Sequence, residues 1–178
     1  RTLALGLAKR LLCGAESSQP CGRCHHCSLI GHSLADLGRR RDEALEDKEN
    51  PVGLNLRLHP DLILVEAWPS GGKRTIKVEQ ARDLNEQIGG LPFEARARVV
   101  VIDEAEALGE QAANALLKSL EEPPATSHVV LVTSAPQALL PTIRSRCQVL
   151  RFERLPLALI EHHLVEKCEV APDEARLR

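Results

Sequence analysis

The sequence has no methionine and no tyrosine, and aromatic residues make up only 2% of its 178 residues. The three aromatic residues are Trp68, Phe93 and Phe152. This scarcity argues against a protein that binds single strands by stacking bases on aromatic rings. A net charge of −2 likewise excludes a chain that holds nucleic acid through an overall positive charge. The longest aliphatic runs are strand-sized, far shorter than the ~20 residues that span a bilayer.

The chain also shows no charged segment followed by an apolar stretch, so no secretory signal peptide is visible. Hydrophobic residues make up 43% and charged residues 27% of the chain, as is usual for globular domains. Leu3, Leu7 and Leu11 recur at helical spacing from the first residues onward, with no capping residue ahead of them. We therefore expect a cytoplasmic protein that continues upstream of Arg1.

Strands and helices alternate along the second half of the chain. The pattern predicts strands over 62–65, 99–102, 129–132 and 149–152, and helices over 78–89, 109–122 and 141–146. Such alternation predicts an α/β fold, with a parallel sheet flanked by helices. We expect this core to occupy residues 1–152 and a second, helical domain to begin at 153–178, with a helix over 156–169.

Residues 39–58 are dense in charge and contain an arginine triplet followed by several acidic residues. This composition predicts a solvated loop or a partly disordered insertion. An arginine triplet could instead contact phosphate groups, but the acidic neighbours within a few residues argue against that role.

Four of the six cysteines lie within fifteen residues, after the first helical stretch: Cys13, Cys21, Cys24 and Cys27. Two-residue gaps allow consecutive thiolates to point at one ion, and Pro20 and Gly22 suit the tight turns that this requires. Four thiolates form a closed tetrahedral site, which is typical of structural zinc. The spacing therefore favours a structural zinc module over residues 13–27.

Three alternatives to zinc fit the sequence less well. Disulfides fit poorly with a chain that has no secretory signal, and the usual fourth cysteine of an iron–sulfur motif is replaced by Gly31. A redox pair needs a strand–helix junction that is not evident here. His25 or His26 could replace one thiol, although four thiols make this unnecessary. The isolated Cys147 and Cys168 are predicted to be small buried residues.

Asp103 and Glu104 directly follow the predicted strand 99–102. At the carboxyl edge of a nucleotide-binding sheet, such an Asp can hold Mg²⁺ through water and such a Glu can polarise an attacking water. An acidic residue there can also simply cap the next helix. Thr2 opens the first helix as the hydroxyl residue of a phosphate-binding loop would, which places Arg1 at the lysine position of that loop.

Together these features resemble the bacterial DNA polymerase III clamp-loader subunits of the AAA+ superfamily. The resemblance depends on the cysteine cluster and three further motifs. The motifs are Asp-Glu-Ala at 103–105, Ala-Asn-Ala-Leu-Leu-Lys-Ser-Leu-Glu-Glu-Pro-Pro at 113–124 and Ser-Arg-Cys at 145–147. They occur in the family's order and spacing, and the match extends over nearly the whole chain, with its weakest part at residues 39–58. The resemblance thus implies an AAA+ P-loop-type core, truncated at its phosphate loop, with an inserted zinc module and the start of a helical lid domain.

The same resemblance implies roles for individual residues. Arg146 would be an arginine finger, presented to the ATP of a neighbouring subunit. Asp103 and Glu104 would be the Walker B pair, and Ser134, with Thr133 as the adjacent alternative, would be the sensor-1 residue. Arg144 is the nearby arginine for which a purely structural role is expected.

Two subunit types of this family carry these marks, the δ′ subunit and the ATP-hydrolysing γ/τ subunit. His59-Pro60-Asp61, the stretch 76–82 and Arg1 at the lysine position resemble δ′, whereas an intact Asp103–Glu104 pair is typical of γ/τ. The first choice implies a subunit that hydrolyses little or no ATP and works with the γ/τ and δ subunits, the sliding clamp and primed DNA. ATP and Mg²⁺ would then lie mainly in the neighbour. A free-standing zinc module that binds nucleic acid is disfavoured by the near-neutral net charge and by the absence of aromatic residues near the cluster.

Overall fold

The structure is a computed structural model that describes residues 1–153 and 155–168. Residues Arg1–Cys147 form one compact unit and Gln148–Arg178 a second. Within the described part of the chain, no helix is both long and apolar enough to cross a membrane.

The first unit is an α/β unit that begins with three helices. Its helices are α1 (Thr2–Leu12), α2 (His25–Ala35), α3 (Leu37–Glu46), α4 (Val78–Gly89), α5 (Glu110–Glu121) and α6 (Pro141–Arg144). Its strands are β1 (Asn55–His59), β2 (Leu62–Val65), β3 (Trp68–Ser70), β4 (Lys73–Thr75), β5 (Arg98–Ile102) and β6 (Ser127–Leu131). The second unit contains α7 (Leu157–Cys168). Residues 169–178, the remainder of the predicted helical domain, lie outside the described residues.

Four strands form the central sheet, in the order β1-β2-β5-β6. Strands β2, β5 and β6 run parallel, and β1 pairs with β2 in the antiparallel direction. The parallel register aligns Val65 with Ile102 and Ile102 with Leu131, so these three strands end at the same edge of the sheet. The predicted α/β class with a mostly parallel sheet is therefore confirmed.

Side chains that alternate along the strands pack against helices on both faces of the sheet. Ile63, Val65, Val100 and Ile102 join the buried residues of α4 and α5 on one face. The other face carries Leu56, Leu58, Leu62, Leu64, Val99 and Val101, packed on α1 and α2. Both β2 and residues 99–102 of β5 are buried on both faces, and each is a continuous aliphatic run without polar alternation.

Two predictions were wrong. Residues 39–58 are not one continuous loop, since α3 covers their first part and β1 their last part, with a loop only over 47–54. The helix α3 has no buried residue, so its sequence lacks the apolar stripe that would have revealed it. Residues 149–152 do not form a strand and pair with no strand among the described residues, although the segment is apolar. Val149, Leu150 and Phe152 are exposed. A hydrophobic run forms a strand only where another strand offers a free edge to pair with.

The short strands β3 and β4 form a separate hairpin that sequence patterning did not predict. Its turn consists of Gly71 and Gly72, which have φ angles of +54° and +80°. Two consecutive positive φ angles suit the tight hairpin turns that match strand twist, and glycine adopts them without strain. The hairpin carries Arg74 toward the carboxyl edge of the main sheet, where it contacts Glu104.

Candidate zinc module and acidic sheet edge

The four clustered cysteines converge as their spacing predicts. Cys13 follows the end of α1, Cys24 precedes α2, and Cys27 lies in the first turn of α2. All four Sγ atoms lie within 4.8 Å of one another, and the Sγ atoms of Cys13 and Cys24 are 3.9 Å apart. Zinc–sulfur bonds of about 2.3 Å in a tetrahedron place sulfur atoms roughly 3.8 Å apart. The donor set and its spacing therefore fit a zinc ion.

Backbone amides prepare three of these thiols for the thiolate state. The N–H groups of Cys21 and Ala15 donate to Cys13 Sγ, each at 3.4 Å, and they lower the pKa of Cys13. Backbone donors lower the pKa of Cys21 and Cys24 in the same way. Burial raises the pKa of Cys27 to about 12, which opposes its thiolate state, whereas a bound cation would favour that state.

A second group of metal-binding side chains adjoins the cysteines and was missed by sequence reasoning. His26, His59 and Glu94 have donor atoms within 4.8 Å of one another. However, the backbone N–H of Asp61 donates to His59 Nδ1 at 3.0 Å, so the proton of the neutral ring lies on Nε2. That Nε2–H points at His26 Nδ1, 2.9 Å away. Because the protonated nitrogen cannot bind metal, the group is a hydrogen-bonded pair of histidines with a nearby carboxylate.

Asp61 organises the loop between α4 and β5, which covers residues 90–97. Its buried carboxylate accepts the backbone N–H groups of Phe93, Glu94 and Ala95 at 2.6 to 2.9 Å. Arg98 Nη2 lies 3.3 Å from the same carboxylate. Burial by itself would raise the pKa of Asp61, but these donors outweigh burial and hold the pKa below its usual value.

The carboxyl edge of the sheet brings Asp103 together with a carboxylate that sequence analysis did not select. Glu66 follows β2 as Asp103 follows β5, and the Glu66 side chain is only 2% exposed. One guanidinium, that of Arg1, lies 2.7 Å from Glu66 Oε1 and 3.2 Å from Asp103 Oδ2. Arg41 of α3 also binds Glu66, with Nη2 at 2.6 Å from Oε1. The edge is therefore a network of two carboxylates and two arginines.

Burial opposes the charge on Glu66, but these arginines stabilise it. The guanidinium groups of Arg41 and Arg1 outweigh the cost of burial and hold the pKa of Glu66 below its usual value. Thr2 is the first residue of α1 and is exposed. Glu66 is thus kept charged by cations from its own chain.

Glu104 has an unusual backbone and its own ion pair. Its φ of +51° and ψ of +51° place it in the left-handed region, which non-glycine residues seldom adopt. Arg74 Nε from the β3–β4 hairpin lies 2.6 Å from Glu104 Oε2. Both members of the predicted Walker B pair are consequently bound to arginines of the same chain.

Ser134 lies just beyond the end of β6, at the same edge of the sheet. Its hydroxyl donates to Glu106 Oε1 at 2.7 Å, and Thr133 Oγ1 accepts the backbone N–H of Ala135. Burial would raise the pKa of Glu106, but hydrogen bonds from Ser134 and Thr133 outweigh it and lower that pKa. The predicted sensor position is thus hydrogen-bonded to the segment that follows the Asp103–Glu104 pair.

Arg146 lies just after α6 and pairs with the end of α5. Its Nη2 lies 2.6 Å from Glu121 Oε1 at the end of α5, and its Nη1 donates to the carbonyl of Thr142 at 2.8 Å. The Arg146 side chain is 34% exposed. Cys147 is half-buried, and burial raises its pKa. The side chain of Cys168 is not among the described ones.

These features define an α/β protein with a mostly parallel, helix-flanked sheet, acidic side chains at its carboxyl edge and a four-cysteine module. The family model described as "DNA polymerase III, delta subunit" matches residues 1–156, and the chain belongs to this family. The resemblance to the clamp-loader subunits is therefore confirmed.

Individual relatives support the same assignment. The chain is 36% identical over 174 residues to the DNA polymerase III subunit delta' of Bacillus subtilis, covering 98% of this chain and 44% of the relative. Identity to the delta' subunit of Escherichia coli is 32% over 83% of this chain and 36% of that protein. The tau subunit of Escherichia coli is 35% identical over 92% of this chain and 21% of that subunit. The chain thus spans less than half the length of these relatives.

A solved structure agrees with the fold. A gamma subunit-related protein from Thermotoga maritima superposes with a TM-score of 0.50 and 30% identity. The superposition covers 74% of this chain and 42% of that protein.

Proposed function

We propose that this chain is the AAA+ part of a δ′-type clamp-loader subunit, which supports ATP-dependent loading of the sliding clamp on primed DNA. The observation that carries the proposal is the match to delta' subunits at 32–38% identity over most of the chain. The partners would be the γ/τ and δ subunits, with the clamp and DNA reached through the assembled complex. Such an assembly would work in the cytoplasm, at the replisome.

Arg146 is the residue through which this subunit would act on its neighbour. An arginine supplied in trans stabilises the charge that develops during phosphoryl transfer. The guanidinium is partly exposed, and its partner Glu121 is 46% exposed. An ion pair this exposed contributes at most about 1 kcal/mol, so a phosphate group can replace the Glu121 carboxylate at little cost.

The ion pairs at the sheet edge support a subunit that hydrolyses little ATP itself. Asp103 would hold Mg²⁺ through water in an active site, but here it faces the Arg1 guanidinium. Glu104 would orient water, but it is paired with Arg74. Both carboxylates would have to break their ion pairs with Arg1 and Arg74 before they could take part in catalysis. Ser134 would act as the sensor-1 residue only if nucleotide bound at this sheet edge. Residues 153–178 would begin the lid domain.

The alternative function is that of a γ/τ-type ATPase motor, which the intact Asp103–Glu104 pair and the tau relatives favour. ATP hydrolysis by the full-length protein alone separates the two. We expect no turnover above the level of an Asp103→Asn variant, because the catalytic carboxylates are already paired. Steady-state hydrolysis that Asp103→Asn abolishes would establish the motor function instead.

We further propose that the four cysteines hold structural zinc. Zinc would be held by Cys13, Cys21, Cys24 and Cys27 and would supply a cross-link between the end of α1 and the start of α2. The chemistry of four thiolates leaves no coordination position for a substrate.

Full-length protein purified without chelator should contain one zinc per chain by elemental mass spectrometry. The Cys21→Ser variant should lose most of this zinc, because three thiolates bind it less tightly than four. Cys147→Ser is the matched control, since this half-buried thiol lies outside the cluster, and it should retain zinc. Metal-free protein with four freely titratable thiols would contradict the proposal.

Native mass spectrometry of the reconstituted loader tests the proposed function directly. The full-length protein, mixed with γ/τ and δ subunits, should appear as one copy in a hetero-oligomer. The same mixture without this protein provides the reference mass. If the γ/τ and δ subunits assemble alone and the full-length protein stays monomeric beside them, the proposed role is wrong.

A further inference from the structure

We infer that His59 is a positioning residue for the zinc module and that, through it, a bound zinc ion orders the loop of residues 90–97. His59 is the last residue of β1 and its side chain is fully buried. Its partner His26 lies between the ligands Cys24 and Cys27, so the pair joins the module to the sheet. The inference rests on the zinc site proposed above.

The direction of the hydrogen bonds makes His59 suited to this role. Its Nδ1 accepts the backbone N–H of Asp61, which fixes the ring and leaves the proton on Nε2. The Nε2–H then donates to His26 Nδ1 at 2.9 Å. Burial lowers the pKa of His59, with a further contribution from His26, so the neutral ring is the ordinary state. A rigid buried donor therefore holds the segment between two zinc ligands.

The loop of residues 90–97 contacts the module on two sides. Glu94 Oε2 lies 3.3 Å from His25 Nε2 and 3.7 Å from His59 Nε2. Arg96 Nη2 donates to the carbonyl of Gly14 at 3.3 Å, directly after the ligand Cys13. The loop thus touches both segments that a zinc ion would join.

The turn after β1, at residues 59–61, also holds the loop of residues 90–97. Asp61, whose N–H orients His59, accepts the amides of residues 93–95 with its carboxylate. The cysteine module, the histidine pair, the turn after β1 and the loop therefore form one continuous set of contacts. Loss of zinc would free α2 from Cys13 and weaken the contacts of the loop to His25 and Gly14. The helix α5 shares none of these contacts among the described residues.

Hydrogen–deuterium exchange of the full-length protein, with zinc bound and with zinc removed by a chelator, tests the coupling. Amides of residues 90–97 and 59–62 should exchange at least about tenfold faster without zinc, while those of α5 stay unchanged. Faster exchange confined to residues 13–35 would overturn the inference. A uniform increase that includes α5 would also overturn it, because zinc would then support the whole unit.

Two variants test His59 itself. His59→Leu removes the donor to His26, and zinc release to a chromogenic chelator should become on the order of tenfold faster. His59→Gln keeps an N–H donor at the same distance along the side chain and should restore the slow rate. His128→Leu, at an exposed histidine of β6, is the matched control and should leave zinc release unchanged.

Cobalt substitution supplies a readout that general destabilisation does not change. Co²⁺ bound to four thiolates has d–d bands that report ligand geometry. These bands should shift in His59→Leu and match wild type in His59→Gln. Identical bands and equal zinc release in all three proteins would overturn the positioning role. Zinc stoichiometry separates this failure from that of the zinc proposal, because full occupancy with no effect of His59→Leu contradicts only the inference.

Discussion

Replacement of Arg146 by alanine should lower DNA-stimulated ATP hydrolysis at one site of a reconstituted clamp loader by about 10³-fold or more. An arginine finger has this effect because it neutralises charge that develops only in the transition state. The loss should affect the rate and not assembly, since the Arg146 side chain is 34% exposed and contacts Glu121 and Thr142 of its own chain. Single-turnover hydrolysis in a complex where only the neighbouring site is competent measures the effect.

Arg144→Ala is the matched control, because Arg144 is exposed and lies two residues away on α6. It should leave hydrolysis near the wild-type rate. Arg146→Lys keeps a positive charge but loses the planar fork, so it should recover only part of the activity. Wild-type hydrolysis in the Arg146→Ala complex, at full subunit occupancy, would show that the finger comes from elsewhere.

The Asp61→Ala variant should lose about 3–5 kcal/mol of unfolding free energy, the range found when one partner of a buried ion pair is removed. Asp61 is fully buried and receives three backbone N–H groups in addition to Arg98. Its removal leaves three part-buried backbone donors and the buried Arg98 without their acceptor. Urea denaturation of the zinc-loaded protein measures the loss. Glu43→Ala removes an exposed pair with Arg39 and should cost at most about 1 kcal/mol.

The pH dependence of the same site has a definite sign. The folded-state pKa of Asp61 lies below its unfolded value, so the folded protein binds this proton less readily. Its stabilising contribution is therefore fully present above the unfolded pKa of about 3.9 and is lost as pH falls through the folded pKa. The difference in stability between wild type and Asp61→Asn should shrink across that acidic range. A difference that grows on acidification would contradict this assignment.

The helices and strands with strong periodicity were predictable from the sequence. The expected helix over 78–89 matches α4 residue for residue, because its apolar positions recur at 3.6-residue spacing and Gly90 follows it. The expected strands 62–65 and 99–102 are central and buried on both faces. In contrast, α3 has no buried residue, so local periodicity carried no signal for it. The run 149–152 has the composition of a strand, but sequence alone does not reveal whether a partner strand is present.

Some residues of the candidate sites were predictable from the sequence and others were not. The cysteine cluster was predictable because its ligands are close in sequence, and Asp103–Glu104 because a strand ends there. Glu66 was missed because its partners, Arg1 and Arg41, are distant in sequence and meet it only through the packing of α1 and α3 on the sheet. His59 was missed as a partner of His26 for the same reason. Short-range spacing is thus visible in a sequence, whereas long-range ion pairs require the fold.

The left-handed backbone of Glu104 limits which residues are favourable at this position. A left-handed conformation costs a residue with a Cβ atom roughly 1–2 kcal/mol, a cost that glycine avoids and asparagine reduces. Selection for stability alone would favour one of those residues after Asp103. The presence of glutamate means that the position trades stability for a carboxylate at the sheet edge, even though that carboxylate is now paired with Arg74. In a thermostabilised variant of this chain, Glu104 would be among the first positions to change.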